Sequence, residues 1–293
     1  MFVPPSPAAS MNDARYKDQH APHHYDQNKL AQADCETATS PSTTRKSLLS
    51  WNGFKQYWLV DLGVNTFVEA QLLLLTFAVG IQDAISYPDF RCFASNQTGN
   101  TVVLAVALAG QAGTLFDAAN TGVSLGSFLA GAMFTGHLGN FTGKRRRAWQ
   151  VAIALAQTFM VAGSAWVQYV HGTDQTGVWA RTALALLAFA SGSQVAAARA
   201  FKIPEITTAM ATAAWVDLLI DENLFARQNR PRNRRAFFLA TLVAGSFAGA
   251  YARKAIGSPN AITISAAVKV MVIVAMLVSP GERVDSNGKP LDS

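Results

Sequence analysis

Charge is scarce in this sequence. Of its 293 residues only 14% are Asp, Glu, Lys or Arg, where a soluble domain carries roughly a quarter, and that deficit argues against an ordinary soluble enzyme. Cysteine is scarcer still: Cys35 and Cys92 are the whole complement and fix no disulfide framework. The 21 glycines follow no triplet period, which excludes collagen. Common catalytic machinery is missing too, with no Gly-Lys-Ser/Thr phosphate loop, no His-Glu-x-x-His helix and no Cys-x-x-Cys pair. A hydrolase built on Ser and His would have to draw on His137 and His171, which sit at no recognisable spacing. The expectation is a protein that is not an enzyme and needs no cofactor or metal.

What the chain has is apolar surface, half of all residues, and it comes in long runs. A helix crossing roughly 30 Å of hydrocarbon needs about 20 consecutive, mostly apolar residues. Cys92 to Phe116, Ala118 to Gly143 and Val151 to Thr173 contain no charged residue, and Thr182 to Ala198 and Ala236 to Ala252 are only slightly shorter. The net charge of +6 sits in short clusters between these runs. Such clusters record membrane topology, so the lipid bilayer is the expected partner and nucleic acid is not.

Residues 1–60 read as a polar, disordered tail ending in an interfacial segment. The first 50 are rich in Pro, Ser, Thr, Asn, Gln and His without an apolar period, so they cannot bury enough surface to offset their ordering entropy. His20, His23 and His24 lie there without a fixed ligand geometry. Trp51, Phe54 and Trp58 fall at helical spacing beside Lys55, which suits a short helix in the headgroup region. Greasy segments follow at 67–87, 98–116, 120–141, 148–170, 178–200, 204–220, 236–257 and 260–279, and 281–293 form a short polar tail.

If all eight segments cross, Lys144, Arg145, Arg146 and Arg147 lie on the opposite side from Arg227, Arg230, Arg232, Arg234 and Arg235, against the positive-inside rule. If the second and sixth segments are shorter or re-entrant, six crossings remain. Both arginine clusters and the N-terminus are then cytoplasmic, and Arg253 and Lys254 are the discordant pair. The expected fold is an all-α polytopic membrane protein of about six full transmembrane helices and two shorter ones. The transmembrane domain is expected over 61–280.

Self-comparison shows an internal repeat. Phe77-Ala78-Val79-Gly80-Ile81-Gln82-Asp83-Ala84 is echoed 112 residues later by Phe189-Ala190-Ser191-Gly192-Ser193-Gln194-Val195-Ala196. Thr98-Gly99-Asn100 is echoed by Thr212-Ala213-Ala214 at 114, and Gly126-Ser127-Phe128 by Gly245-Ser246-Phe247 at 119. Three crossings per half would make copies 67–170 and 178–279 an inverted pair, an arrangement that recurs in secondary transporters.

The run Gly80-Ile81-Gln82-Asp83-Ala84, followed by Phe93, Asn96-Gln97-Thr98-Gly99-Asn100-Thr101 and a later Gly126-Ser127-Phe128-Leu129-Ala130-Gly131, resembles the YoaK-like family of membrane proteins (domain of unknown function 1275). The resemblance runs from about Phe67 to Leu277. It implies a polytopic membrane protein and supplies no activity, substrate or catalytic residues. The long arginine-rich loop after Asp221 departs from the family pattern.

Candidate site residues follow from the cost of polar groups in lipid, on the order of 3 kcal/mol for a central charge. Asp83 reads either as an acid facing a wet cavity or as a cap for the following helix. Lys269, near the middle of the last segment, calls for a buried acid, with Asp83, Asp217 and Glu205 as candidates. Gln82, Gln97, Thr98, Asn100, Gln194, Thr208 and Thr212 offer neutral donors and acceptors for a small polar solute, and Gly99 permits close backbone approach. The other reading of these groups is that they satisfy backbone freed by broken helices. Gly122, Gly126 and Gly131, with Gly245 and Gly249, form close-packing faces within the chain or between two copies of a homodimer. The expected function is a transporter- or channel-like protein for a small polar or anionic solute, with segments 96–101 and 205–212 meeting along the pathway. The alternative is a non-transporting scaffold or accessory subunit that acts through helix contacts.

Overall fold

A computed structural model of the chain describes residues 51–111 and 116–282. The expected disordered tail with its three histidines and Cys35, and the stretch 283–293, lie outside the described residues. Among the described residues are nine α-helices and one 3-10 turn, with no strand beyond two isolated bridges, Asp61 with Arg146 and Leu62 with Gly281. The helices are α1 (Trp51–Leu59), α2 (Thr66–Phe90), α3 (Gln97–Leu108), α4 (Ala118–Thr142), α5 (Arg147–His171), α6 (Val178–Ala198), α7 (Thr212–Leu219), α8 (Arg230–Ile256) and α9 (Ser258–Val278), the 3-10 turn Arg199–Phe201 following α6.

Five helices, α2, α5, α6 with its 3-10 extension, α8 and α9, are long and apolar enough to cross a membrane. Helix α4 has the length, 25 residues, but its Asn, Thr, Ser and Gly lower its apolarity. The outward faces carry large apolar side chains, among them Phe159, Trp166, Phe247 and Met271. Helices that face lipid while satisfying their backbone internally make this a multi-pass membrane protein.

Hydrogen bonds between helix ends set the bundle's polarity. At one end, called the arginine end below, Leu62 N–H donates to the Arg145 carbonyl at 2.9 Å and Glu282 N–H to the Asp61 carbonyl at 2.8 Å. Gln71 donates to Ser279 at 2.7 Å, and Arg234 meets Glu69 at 2.6 Å. Buried Arg147 caps this end, donating to the carbonyls of Tyr57 and Ser279 with its guanidinium 4.0 Å from the Tyr57 ring centre. At the far end Asn120 donates to the carbonyls of Phe90 at 3.0 Å and Gln175 at 2.7 Å. Buried Asp89 accepts from Arg253 at 2.8 Å and Ser258 at 3.0 Å. The pairing with Asp89 neutralises Arg253, one of the two residues that look discordant in sequence, while Lys254 has no carboxylate partner among the described residues.

Six long helices therefore run from one end to the other in alternating directions. Helix α3 stays with the far end, and α7 with the arginine end beside α8, where Arg235 meets Asp221 at 3.4 Å. Both arginine clusters lie at one end, as the charge distribution predicts.

Two crossings hold the bundle together, α4 against α6 and α2 against α8, and both depend on glycine. A Cβ at Gly131 would lie 2.2 Å from the Phe189 carbonyl oxygen, and one at Gly192 2.0 Å from that of Phe128. In the other crossing, a Cβ at Gly245 would lie 2.3 Å from the Phe77 oxygen and one at Gly80 2.6 Å from that of Leu242. A Cβ at Gly249 would fall 2.7 Å from Ile81. The backbones thus touch directly. Gly131 and Gly245, each set against the carbonyl of a phenylalanine, are 114 residues apart, whereas the sequence match of Gly126 with Gly245 is at 119. A Cβ at Gly122 or Gly126 would meet nothing within 4 Å among the described residues, so neither makes a close crossing of this kind there.

Candidate functional site

The apolar interior is divided into two cores. One, toward the arginine end, contains Leu72, Leu75, Val151, Ala154, Ala198, Val272 and Met276. The other, toward the far end, contains Ile81, Ile85, Val161, Leu187, Ala190, Ile262 and Ala266. Where α5, α6 and α9 pass from one core to the other they bury the polar residues Gln157, Ser191, Ser193, Gln194 and Lys269.

Lys269 is at the centre of this polar layer. It is 2% exposed and donates to Gln157 Oε1 at 3.3 Å and to Gln194 Oε1. Gln157 donates onward to Ser193 Oγ at 3.1 Å, which also accepts from Thr135 at 2.8 Å. Gln194 donates to the Leu75 carbonyl at 3.3 Å. Next to it Gln82 donates to Ser265 at 2.7 Å, Ser265 to the Ala78 carbonyl at 3.0 Å, and Ser191 approaches Gln82 Oε1 at 3.5 Å. The expected acid partner of Lys269 is not found: Asp83, Asp217 and Glu205 all bond elsewhere, and two glutamine carbonyl oxygens take the ammonium. An amide oxygen satisfies the hydrogen bonds of a buried cation without cancelling its charge.

Helix α5 extends the polar layer toward both ends. Gln150, Gln157, Ser164 and Gln168 all lie on its buried face, spaced by seven, seven and four residues, so they form one stripe. At 1.5 Å per residue the stripe is about 27 Å long. Gln150 donates to the Lys144 carbonyl at 2.6 Å. A void of about 10 Å³, lined by Gln150, Gln157 and Gln194 among others, has room for about one water. The hydroxyl of Ser164 and both amide atoms of Gln168 are buried without a partner. The sequence reading passed over this stripe, although its spacing is visible once polar residues inside a greasy run are placed on a helix.

The two segments expected to line a common pathway do not meet. Asn100 is fully buried, accepts from Phe93 N–H at 3.0 Å and donates to the Phe93 carbonyl at 2.7 Å. It also donates to Gln97 and Ser124. Gln97 donates to the Ala94 carbonyl at 3.0 Å and to Ser124. Asn96 caps α3 by accepting from Gly99 N–H at 3.3 Å, and Thr98 is exposed. Asp83 accepts from Ser95 N–H at 2.9 Å and from its hydroxyl at 2.5 Å, so it fastens the approach to α3. These groups satisfy the backbone of a sharp turn, the second of the two readings that the sequence allows.

The other segment belongs to the arginine end. Glu205 faces Arg234 at 3.5 Å, and Asp217 lies 3.9 Å from Arg235. Thr208 is buried in a left-handed conformation with φ of 63° and an unpartnered hydroxyl, and Thr212 opens α7. Because Arg234 also holds Glu69 in the first turn of α2, whereas Asp83 lies fourteen residues further on, the two segments are about 21 Å apart along that helix. The Gly122-Val123-Ser124-Leu125-Gly126 run spells Gly-x-Ser-x-Gly, yet it lies inside α4 and Ser124 donates to the Phe93 carbonyl at 2.6 Å. A nucleophile elbow requires a strand-to-helix turn, so this run is not one. No group of three or more His, Cys, Asp or Glu that could hold a metal occurs among the described residues.

No curated protein and no solved structure matches the chain. The sequence model of one family matches residues 71–275, a stretch that contains the polar layer, the α5 stripe and both glycine crossings. The chain belongs to the family described as Protein of unknown function (DUF1275).

Proposed function

We propose that this protein crosses the membrane six times as an inverted repeat and carries a small polar or anionic solute through the polar layer around Lys269. The carrying observation is a lone ammonium, buried between two apolar cores and balanced by no carboxylate, on a polar stripe that extends toward both ends of the bundle. A buried charge in lipid is costly, and the stability of a bundle gives no reason to keep one.

The repeat reading is supported by equivalent contacts. Gln82 and Gln194 are 112 residues apart, as are Phe77 and Phe189, and Lys269 and Gln157 are 112 apart and touch each other. Equivalent residues of two repeats touch where the axis relating them passes, and for an inverted pair that axis lies in the membrane plane. Lys269 then sits near the bilayer midplane, where transporters of this architecture bind substrate.

The test is uptake into vesicles reconstituted with the full chain, using a panel of labelled small anions and neutral polar solutes. Wild type is expected to accumulate at least one of them, Lys269→Met to abolish uptake while folding normally, and Gln157→Leu, which removes an acceptor of Lys269, to abolish uptake with a lower stability but a folded chain. If both variants match the parent and Gly126→Leu alone removes the cellular phenotype, the protein is a scaffold that uses its outward glycine face, with a second copy or another helix seated there.

A further inference from the structure

The arginine end separates its cations into two groups. Arg145 pairs with Glu282 at 2.9 Å, Arg230 and Arg234 with Glu69 at 2.6 Å, and Arg235 with Asp221 at 3.4 Å. Lys144, Arg146, Arg147, Arg199, Lys202, Arg227 and Arg232 have no carboxylate partner among the described residues. Arg146, Arg147 and Arg232 donate to backbone carbonyls instead, whereas Lys144, Arg199 and Lys202 share one place. All three line one groove of about 160 Å³ with Trp149 and Thr135, and Arg199 and Lys202 continue into an adjoining groove of about 420 Å³ that ends at Thr207. No Asp or Glu lines either space. Glu205, on the same segment, turns its carboxylate to Arg234.

The local backbone holds this arrangement. The 3-10 turn ends with Lys202 N–H donating to the Arg199 carbonyl at 3.2 Å, and Lys202 adopts φ of 53°. That left-handed conformation is unfavourable for a lysine and persists only where surroundings impose it. Trp149 forms part of the wall of the same groove.

The opposite end provides an internal control. The groove there, about 510 Å³, includes Asp83, Ala84, Tyr87 and Pro88 of α2 together with residues of α8. Ala84, Tyr87 and Pro88 are each 112 residues before Ala196, Arg199 and Ala200, which line the basic groove. On the repeat reading, the position that carries the neutral phenol of Tyr87 at the far end carries the guanidinium of Arg199 at the arginine end, so packing at that position does not itself require a cation.

We infer that the groove of Lys144, Trp149, Arg199 and Lys202 is a binding site for an oxyanion of the phosphate class, either the headgroup of an anionic lipid or a free anion. A guanidinium and two ammonium groups without competing carboxylates are a donor set for a multiply accepting anion, and the positive end of a membrane protein meets the anionic leaflet. Because Gln150, the first member of the α5 stripe, donates to the Lys144 carbonyl, the groove also stands at the mouth of that stripe. The site does not depend on transport through Lys269.

The experiment measures thermal unfolding of the full chain in detergent. One arm adds phosphatidylglycerol, a second adds inorganic phosphate, and a third adds phosphatidylcholine as reference. Wild type is expected to gain about 3 °C or more in one of the first two arms over the third. The triple variant Lys144→Gln, Arg199→Gln, Lys202→Asn is expected to lose that gain while keeping the reference Tm. Asn is chosen at 202 because it tolerates the left-handed conformation. Arg146→Gln, Arg227→Gln, Lys254→Gln removes equal charge elsewhere and is expected to keep the gain. A gain with phosphatidylglycerol alone assigns a lipid headgroup, and a gain with phosphate assigns a free anion. No gain in either arm, or equal loss in both triple variants, overturns the site. If the first triple does not fold, Lys202→Asn alone is expected to lose part of the gain, and a full gain in that variant also overturns the site. Uptake through Lys269 is a separate measurement, so either reading can fail without the other.

Discussion

Lys269 shows how differently two neighbours in one hydrogen bond respond to removal. Deleting the charge and deleting its acceptor break the same contact, but only the second leaves an ammonium stranded between apolar cores. Lys269→Met replaces a buried cation by an apolar chain of similar length, a change that is often neutral or stabilising. Gln194→Leu leaves the cation short of an acceptor and is expected to lower stability by about 1–3 kcal/mol. The double variant should recover most of that loss. Urea unfolding of the three proteins in detergent measures the order, and Lys269→Met unfolding at lower denaturant than Gln194→Leu would show that the ammonium is structurally required.

Asp83 offers a residue-scale test of the turn before α3. Its carboxylate receives both donors of Ser95, and Asn at position 83 retains one acceptor oxygen and brings an amide that cannot accept. Asp83→Asn is expected to cost about 1–2 kcal/mol and to expose the turn. Ala94→Cys, at a position buried in the parent, should react faster with a small maleimide in the Asp83→Asn background. Equal rates would separate Asp83 from the turn.

At the scale of helices, the glycine crossings make a sharp distinction between residues that look alike in sequence. Gly192 and Gly126 both lie in greasy helices beside other small residues. A methyl at Gly192 would be placed 2.0 Å from a backbone oxygen, whereas one at Gly126 would meet nothing. Gly192→Ala must move α6 away from α4 and is expected to cost about 3 kcal/mol, while Gly126→Ala should be neutral or gain up to about 1 kcal/mol from helix propensity. Thermal unfolding of the two variants checks the pair. Similar Tm values would show that α4 and α6 do not touch through Gly192.

The helices themselves were largely legible, because a charge-free run of bilayer length has few alternatives. The segments 120–141, 148–170 and 178–200 fall within two residues of α4, α5 and α6. Boundaries failed where local chemistry overrode hydropathy. Helix α2 continues past Pro88 to Phe90 and stops at left-handed Arg91. Helix α3 ends at Leu108 before Gly110, φ 75°, and α7 shrinks to eight residues behind left-handed Thr208. Helix α8 starts earlier, at Arg230, where Asn229 caps it and a proline occupies the first turn, a signal the sequence carried in plain view. The site was less legible. Lys269, Gln82 and Gln194 were found by the cost of polarity in lipid, but composition does not say what a polar group touches. The tempting Asn-Gln-Thr-Gly-Asn run proved to be spent on its own turn, and Gln157, Ser193 and Ser265 emerged only when helices were placed side by side.

For the molecule as a whole, the decisive property is which surface each end occupies. Both arginine clusters are tied to the start of α2, Arg145 through the Leu62 carbonyl at 2.6 Å and Arg234 through Glu69 at 2.6 Å. A model in which all eight greasy segments cross puts those clusters on opposite surfaces. Single cysteines at Arg146, Arg227, Asp174 and Lys254, in a Cys35→Ser background, discriminate the two with a membrane-impermeant maleimide. Cys92 can stay, since burial pushes its thiol up to about 12, with Asp117 and Asp83 adding to the shift, and only the thiolate reacts. Positions 146 and 227 are expected to label only in inside-out vesicles, and 174 and 254 only in intact cells. Positive charge favours the cytoplasmic surface, and the four basic residues at the far end, Arg91, Arg181, Arg253 and Lys254, are outnumbered by those at the arginine end. Labelling of 146 and 227 from opposite surfaces would break the proposed six-crossing arrangement, and with it the proposed repeat axis through Gln157 and Lys269.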